Sequence, residues 1–332
     1  MTSVLNRELL VLSGKGGVGK TTLAAAIGLL AAQRGLRTIV VEVGDQLRLP
    51  RLFGLAGDES AAKVEPGREV ELQERLWSVS IDPDRALLEW LQALGGRVSG
   101  RVLASSSTFQ YFAAAAPGAK ELVSMVKIWE LTQSERWHRR SSGYDLVVLD
   151  APATGHALGL LNSPRTFGAI ARVGPIAGQA QRVRELLADP ARSAYLAVAR
   201  GSEMAVTETL ELQEGLRRQL ARALEAVLVN GILPRRFDRK ELGLLSTLAE
   251  SEHTSERVAM ATSPRAPSAT DDLLRSAAQA ARAVHEGARF QRNQIARLRR
   301  HDLEVVQVPF VFCPHLDLAA VRKIVEHLDK RL

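Results

Sequence analysis

The sequence predicts an α/β fold in which a mostly parallel central sheet is flanked by helices. Short apolar, β-branched runs alternate along the chain with longer helical patterns, which is typical of parallel strands joined by crossover helices. A glycine-rich turn of the phosphate-binding type also follows the first of these runs. The predicted strands span residues 9–12, 38–43, 77–81, 146–149, 195–199, 226–229 and 305–308.

Two long stretches without a comparable strand interrupt this alternation. Residues 85–140 and 159–189 are rich in Ala and Leu and have a mostly helical pattern, which predicts a helical subdomain inserted above the sheet. Polar residues 251–272, which include two prolines, predict a surface loop. The predicted organisation is core over 1–84, insertion over 85–140, core over 141–160, insertion over 161–190 and core over 191–332.

The cysteine content and the hydropathy pattern limit where the protein can work. Cys313 is the only cysteine, so no disulfide can form within the chain, and we expect it to be a small buried side chain in a reducing compartment. No apolar run reaches the roughly 18 residues needed to cross a bilayer, and residues 1–7 do not have the pattern of a signal peptide. We therefore expect a cytoplasmic protein.

Basic residues are most concentrated in residues 289–300. The net charge of +7 permits an acidic partner or a nucleic acid. Within the basic stretch, however, Phe290, Ile295 and Leu298 recur at roughly helical spacing, which indicates one solvated face of an amphipathic helix. Nucleic acid is therefore not an expected partner.

The strongest motif follows the first predicted strand and precedes a helical run over 23–33. It matches G-x-x-x-x-G-K-[ST], in which glycines let backbone N–H groups curl around phosphate oxygens at a helix N-terminus. Lys20 would reach the β- and γ-phosphates, and the Thr21 hydroxyl would bind Mg²⁺ directly. The motif thus predicts a Mg-ATP site. Its residues are Gly14, Lys15, Gly16, Gly17, Val18, Gly19, Lys20, Thr21 and Thr22.

A second lysine, Lys15, directly follows the first glycine of the motif. The loop therefore resembles the deviant Walker A motif, KGGxGK[ST], of the class that contains ArsA, MinD, ParA and the nitrogenase iron protein. The resemblance implies that Lys15 reaches across a face-to-face dimer to the partner's nucleotide and is catalytic there. Cations supplied in trans can raise rates by about three to five orders of magnitude. The alternative is that Lys15 is only a solvated loop cation.

Further matches, in the same order along the chain, resemble the ArsA-like ATPases that include tail-anchored-protein-targeting members. Residues 145–156 resemble their switch II, and 227–230 and 308–311 resemble their adenine-side loops. Residues 81–83 resemble the segment that leads into their helical subdomain, and residues 116–122 resemble an element of that subdomain. The resemblance implies that Asp150 acts on Mg²⁺ through water and that Pro152 and Gly155 belong to the switch, with Gly155 sensing the γ-phosphate. The implied adenine-side residues are Asn230, Pro309 and Phe310.

The sequence departs from this family in switch I. Where the family reads D-P-A-H or D-P-A-K after the second strand, residues 41–47 place Gly44 at the position of the catalytic Asp. Asp45, one residue later, is the candidate that we assign to orient the attacking water, and Glu42 is the alternative. The change also leaves open that the chain hydrolyses ATP only weakly by itself.

These observations lead to a function hypothesis with two alternatives. The resemblance implies a homodimer, or a heterodimer with a paralogous ATPase, in which Mg-ATP binding and hydrolysis move a helical subdomain that holds an unidentified protein client; membrane-associated clients are known in the family. The alternatives are a hydrolysis-deficient regulatory subunit paired with a paralogue, and a positioning ATPase of the MinD/ParA type. Because Cys313 stands alone, no structural zinc is expected.

Overall fold

The computed structural model describes residues 4–44, 47–55, 65–93, 118–137, 142–170, 175–238, 240–247 and 269–332. These residues form one eight-stranded sheet in the order β3-β4-β2-β5-β1-β6-β7-β8. All neighbouring strands are parallel except β3, which pairs with β4 in the antiparallel sense. The strands are β1 Leu9–Ser13, β2 Thr38–Val43, β3 Val70–Gln73, β4 Leu76–Ile81, β5 Leu146–Asp150, β6 Ser193–Arg200, β7 Ala226–Ile232 and β8 Val305–Pro309.

Helices flank this sheet and connect its parallel strands. Their bounds are α1 Lys20–Gln33, α2 Arg48–Leu52, α3 83–93, α4 Ala119–Leu131, α5 Thr154–Ile170, α6 Pro175–Ala188, α7 Glu203–Leu220, α8 240–247, α9 Ala269–Arg299 and α10 Leu318–Leu328. The prediction of a mostly parallel sheet flanked by helices is confirmed. Each of the seven predicted strands is present; β2 has the predicted ends, and the other six have slightly different ones.

The core lies on both faces of the central strand β1. All five residues of β1 are buried, as expected for a parallel strand that is covered on both sides. Helix α1 is apolar around most of its circumference, with residues 23–32 buried, because it lies between the sheet and the neighbouring helices. Gly28 permits its close contact with the sheet, since an added Cβ would lie 2.5 Å from Cγ2 of Val40 in β2.

The edge strand β3 was missed by the sequence analysis. Its residues, Val70–Gln73, alternate apolar and polar but number only four, and a tight turn through Arg75, with φ of 60°, follows at once. Such a short run competes poorly with turn signals in a sequence pattern. The strand exists because β4 offers it an open edge for pairing.

The stretches predicted to be helical insertions are mostly helical where they are described, although residues 132–137 are not helical. Helices α4, α5 and α6 pack on one another, and α3 covers 83–93. Residues 94–117 and 138–141 lie outside the described part, so the predicted division into domains stays a prediction.

Three expectations need correction at the level of single segments. Helix α9 begins at Ala269, inside the segment predicted to be a loop up to 272, whose residues 251–268 lie outside the described part. The basic stretch does form the end of α9 with Ile295 and Leu298 buried, but Phe290 is 47% exposed. Cys313, expected to be buried, is only partly covered, and its Sγ donates to the Val311 carbonyl at 3.7 Å.

A buried ion network fastens helix α4 to the segment just before the edge strand β3. Arg136 Nε donates to Glu130 Oε1 at 2.6 Å, and the Arg136 and Glu130 side chains are only 2% and 1% exposed. Arg136 Nη2 also binds Glu69 at 2.6 Å, while Lys127 Nζ binds Glu130 at 3.0 Å. Burial opposes ionisation of Glu130, yet the Arg136 hydrogen bond and the Lys127 charge hold the pKa of its carboxyl below the usual value. The network therefore stays charged at neutral pH.

Candidate functional site

The glycine-rich loop lies between β1 and α1 at the carboxyl edge of the sheet, where three glycines have positive φ. Gly14 (φ 149°) passes so close to β6 that an added Cβ would lie 2.0 Å from the Val198 carbonyl oxygen. Gly19 (φ 97°) caps α1, and a Cβ there would lie 2.3 Å from Asn230 Nδ2. Gly17 (φ 80°) has open space around it. The loop thus curls because glycines occupy positions that other residues would strain.

Lys20 lies at the first position of α1 and folds back over its own loop. Its Nζ donates to the Gly14 carbonyl at 3.0 Å and to the Lys15 carbonyl at 3.1 Å. Partial burial lowers the pKa of Lys20, and the charge of Asp150 opposes that effect. The ammonium therefore lies where the loop, the helix N-terminus and a phosphate would meet.

Thr21 and Asp150 form the oxygen-rich part of the site. The Thr21 hydroxyl donates to Asp150 Oδ2 at 2.6 Å, while Asp150 Oδ1 is buried and has no hydrogen-bond partner. Burial raises the pKa of Asp150, against the Thr21 hydrogen bond and the Lys20 charge. Such hard oxygen donors, one of them unpaired, fit Mg²⁺, which binds one or two protein oxygens together with phosphates and water.

No cluster of three or more His, Cys, Asp or Glu side chains that could hold a metal unaided lies within the described ranges.

These residues line an open cavity of about 570 Å³, which is in the usual size range of small-molecule sites. Three walls enclose it: the loop and the first turn of α1, the end of β2 with α2, and the turn after β5. Leu316, beyond β8, closes a fourth side. The remaining lining residues are Gly16, Gly17, Gly19, Lys20, Thr21, Thr22, Glu42, Val43, Arg48, Leu52, Asp150, Ala151, Pro152 and Ala153.

Of the two switch I candidates, the structure describes only Glu42. Asp45 lies outside the described residues, so its role stays a prediction. The Glu42 carboxylate accepts from the backbone N–H groups of Arg48 and Leu49, each at 3.3 Å, and burial raises the pKa of Glu42 to about 7. Gly44 has φ of 103°, and its carbonyl accepts a hydrogen bond from Ser80. Glu42 thus anchors α2 to the end of β2.

Lys15 is not among the residues that line the cavity. Its Nζ forms an ion pair with Glu208 of α7 in the same chain, and the two side chains are 31% and 27% exposed. The ammonium is thus held by its own chain on the rim of the loop.

The predicted adenine-side residues lie over β7 and β8, on the other side of β1 from Asp150. Asn230 Nδ2 donates to the Val18 carbonyl at 2.9 Å, which braces the loop and leaves the side-chain oxygen and a second N–H for other partners. Pro309 ends β8, and the 40% exposed Phe310 ring meets Phe312 edge-on at 4.8 Å.

The switch residues after β5 lie partly in the cavity wall. The Pro152 carbonyl accepts from the Ser13 hydroxyl at 3.2 Å, which joins the turn to β1. Gly155 lies in the first turn of α5 and does not line the cavity. Sequence reasoning singled out neither Arg48, Leu316 nor Glu208. Arg48 could have been found from its position four residues after Gly44, close to the predicted switch I. No local sequence pattern indicated Leu316 or Glu208.

A loop of this geometry between the first strand and first helix of a parallel sheet is the nucleotide-binding element of P-loop proteins, and the fold places the chain in that class. The family model of the anion-transporting ATPases matches residues 7–176, just over half of the chain. The chain therefore belongs to the anion-transporting, or ArsA, family of ATPases.

Three relatives illustrate the range of this similarity. The ATPase BagA of Mycobacterium tuberculosis (strain ATCC 25618 / H37Rv) is 29% identical over 258 residues, covering 76% of this chain and 72% of that protein. A putative arsenical pump-driving ATPase of Halobacterium salinarum is 27% identical over 244 residues, covering 70% and 37%. The ATPase GET3C of Arabidopsis thaliana is 28% identical over 176 residues, covering 49% and 43%. Each relative is named as an ATPase, in agreement with the family assignment.

Within the described parts of the chain, no helix combines the length and apolar character needed to cross a membrane.

Proposed function

We propose that the protein is a cytoplasmic, Mg-ATP-dependent dimeric switch whose ATP cycle moves a helical, client-holding subdomain. The observation that carries this proposal is the convergence of Lys20, Thr21 and Asp150 on one cavity beside a glycine-rich loop. Those groups match a triphosphate with its metal in charge and in donor type. The family membership supports ATP as the nucleotide.

Each side chain has a distinct task in this proposal. The loop N–H groups and Lys20 bind the β- and γ-phosphates, and Asn230, Pro309 and Phe310 contact adenine. Thr21 would hold Mg²⁺ directly and Asp150 would hold it through water; bound there, the ion would neutralise charge on the transferred phosphoryl group. Pro152 lies in the turn between β5 and α5 and Gly155 lies in the first turn of α5, so a shift at the γ-phosphate side would reach α5 directly.

Lys15 is the residue that supports a dimer in this proposal. Its side chain is partly exposed and does not line the phosphate cavity of its own chain. This position suits a cation that acts on the nucleotide of a second subunit. Closure of the dimer would require the Glu208 contact to open. The second subunit is another copy of this chain or a paralogous ATPase.

A regulatory subunit that binds ATP but hardly hydrolyses it is the second candidate. Two points favour it. The resemblance places Gly44 at the position of the family's catalytic Asp, and the Glu42 carboxylate accepts hydrogen bonds from backbone N–H groups of α2. In that case turnover would depend on a more complete paralogue.

The deciding experiment measures ATP binding, steady-state hydrolysis and oligomeric state of the purified chain with and without Mg-ATP. We expect binding and ATP-dependent dimerisation in the wild type, and loss of both in Lys20→Ala, with turnover reduced by about 100-fold or more. Tight binding with negligible wild-type turnover would favour the regulatory candidate. Wild-type protein that fails to bind Mg-ATP would refute the proposal.

A further inference from the structure

Arg48 is the first residue of the short helix α2, and its side chain lines the cavity on the wall opposite the glycine-rich loop. The side chain is exposed, and it makes no ion pair or hydrogen bond with any other residue of the described ranges. An arginine that lines an anion cavity and forms no direct ion pair with a carboxylate can donate hydrogen bonds to a ligand.

The charge of Arg48 acts on the two phosphate-site groups already described. Behind the effect of burial and of Asp150, Arg48 contributes to the lowered pKa of Lys20. It also opposes the burial that raises the pKa of Asp150. Lys20 and Arg48 also line the same cavity, so they are like charges that repel each other across it. A polyanion between them would relieve that repulsion and be bound by both cations.

The backbone beneath Arg48 is fixed to the sheet. Glu42, at the end of β2, accepts from the N–H groups of Arg48 and Leu49, and the Leu49 side chain is fully buried. An arginine on an anchored backbone loses less freedom when it binds than one on a free loop, so its position favours a specific contact.

The order of the strands indicates which part of a nucleotide Arg48 would meet. The loop follows β1, the predicted adenine contacts lie over β7 and β8, and α2 follows β2 on the opposite side of β1. Thr21 and Asp150, which mark the β/γ-phosphate region, lie between the loop and β2. Arg48 is thus on the side away from the base, beyond the metal-site oxygens.

We propose that Arg48 binds the terminal phosphate of ATP within its own chain and so makes the site discriminate triphosphate from diphosphate. This inference rests on the proposed function, because it takes ATP as the ligand. A guanidinium can donate two parallel hydrogen bonds to a phosphoryl group and stabilise the charge that it carries during transfer. Arg48 would then be a catalytic residue supplied in cis, in addition to the partner's Lys15.

The test compares equilibrium binding of Mg-ADP and of a non-hydrolysable Mg-ATP analogue to four purified proteins by calorimetry. The proteins are the wild type, Arg48→Ala, Arg48→Lys and Arg51→Ala. Arg51 is the matched control, because it lies on the same short helix, is exposed, and does not line the cavity. Thermal melts of all four identify any variant that fails to fold.

We expect Arg48→Ala to weaken binding of the analogue by about 10- to 100-fold, the usual contribution of a charge-assisted hydrogen bond, and ADP binding by at most about twofold. Arg48→Lys should fall between wild type and alanine, and Arg51→Ala should match the wild type. Equal losses for both nucleotides, or no loss, would overturn the inference while leaving the ATPase proposal intact. A wild type that binds neither nucleotide would overturn both.

Discussion

At the scale of single residues, the end of β2 brings a second carboxylate beside the phosphate site. Glu42 is 5% exposed and opposite Asp150 in the strand pairing, so its charge is disfavoured both by burial and by that neighbour. Its only compensation within the described residues comes from the N–H groups of α2 and the nearby Arg48 charge. The Glu42 carboxyl therefore holds its proton to a higher pH than an ordinary glutamate does.

Folding stability should report this directly. The pKa of Glu42 is about 7 in the folded chain against an ordinary 4.5, so between these pH values the folded state keeps a proton that the unfolded state has released. The unfolding free energy must then fall as pH rises from 4.5 to 7, by about 3 kcal/mol from this group. Glu42→Gln should flatten the slope in that window, and Asp150, whose pKa is also raised, leaves a remainder of the same sign.

The measurement is the urea midpoint between pH 4.5 and 8, in buffer free of nucleotide and divalent cations. If the urea midpoints of the wild type and Glu42→Gln change equally with pH, the pKa of Glu42 is not raised in the folded chain.

Sequence reasoning located this site unevenly, and the reason is physical. The phosphate loop is local, since nine consecutive residues carry the turn, the helix N-terminus and the lysine, so Gly14 to Thr22 could be identified from their spacing. The Glu208 contact joins residues 193 positions apart and leaves no local pattern. Arg48 is an intermediate case: it is close in sequence to the predicted switch I, but its contacts depend on how the chain turns after Gly44.

At the scale of secondary-structure elements, α4 depends on its ion network. Removing Arg136 would leave Glu130, 1% exposed, with less compensation for its buried charge. We expect Arg136→Met to lower the unfolding free energy by about 3–5 kcal/mol. The control is Arg85→Met, because Arg85 pairs with Glu89 in the same region but is 40% exposed, and a pair of that kind contributes only about 0–1 kcal/mol.

Urea unfolding of both variants tests the comparison. A loss in Arg136→Met no larger than that in Arg85→Met would show that the network does not hold α4 in place.

The elements themselves were predicted well where their patterns were long. Parallel strands such as β1 and β5 read as continuous apolar runs because helices cover both faces, and this signal is hard to miss. The four-residue antiparallel strand β3 had no such signal, and its existence depends on β4, which it joins after a tight turn. The start of α9 at Ala269 was missed because prolines nearby dominated the local pattern.

At the scale of the whole molecule, the position of Lys15 decides whether one chain is a complete enzyme. If Lys15 acts on the nucleotide of the other subunit, a Lys15→Ala chain still binds ATP but cannot supply the Lys15 ammonium to its partner. A Lys20→Ala chain cannot bind ATP but can still supply its Lys15 to the partner's nucleotide. Mixing the two inactive variants should then restore part of the wild-type turnover, because mixed dimers hold one complete site.

The experiment measures hydrolysis as the ratio of the two variants is changed at constant total protein, and we expect a maximum at intermediate ratios. The control is the Lys15→Ala, Lys20→Ala double variant mixed with either single variant, and it should restore nothing, because neither mixture contains a complete site. If both single variants are correctly folded and every mixture of them has the same low rate of hydrolysis, action in trans is contradicted.

Helix α9 has one more property that follows from its attachment. Gln291 attaches it to the end of β7, donating to the Gly231 carbonyl at 3.0 Å and accepting from the Leu233 N–H at 2.9 Å, close to Asn230 in the sequence. From Gln291 back to Ala269 the helix extends about 33 Å, so a tilt of about 5° at the fixed point would carry its far end about 3 Å. If Asn230 contacts adenine as proposed, nucleotide binding would act at the attached part of the helix, and a spectroscopic label near Ala269 could measure the resulting displacement.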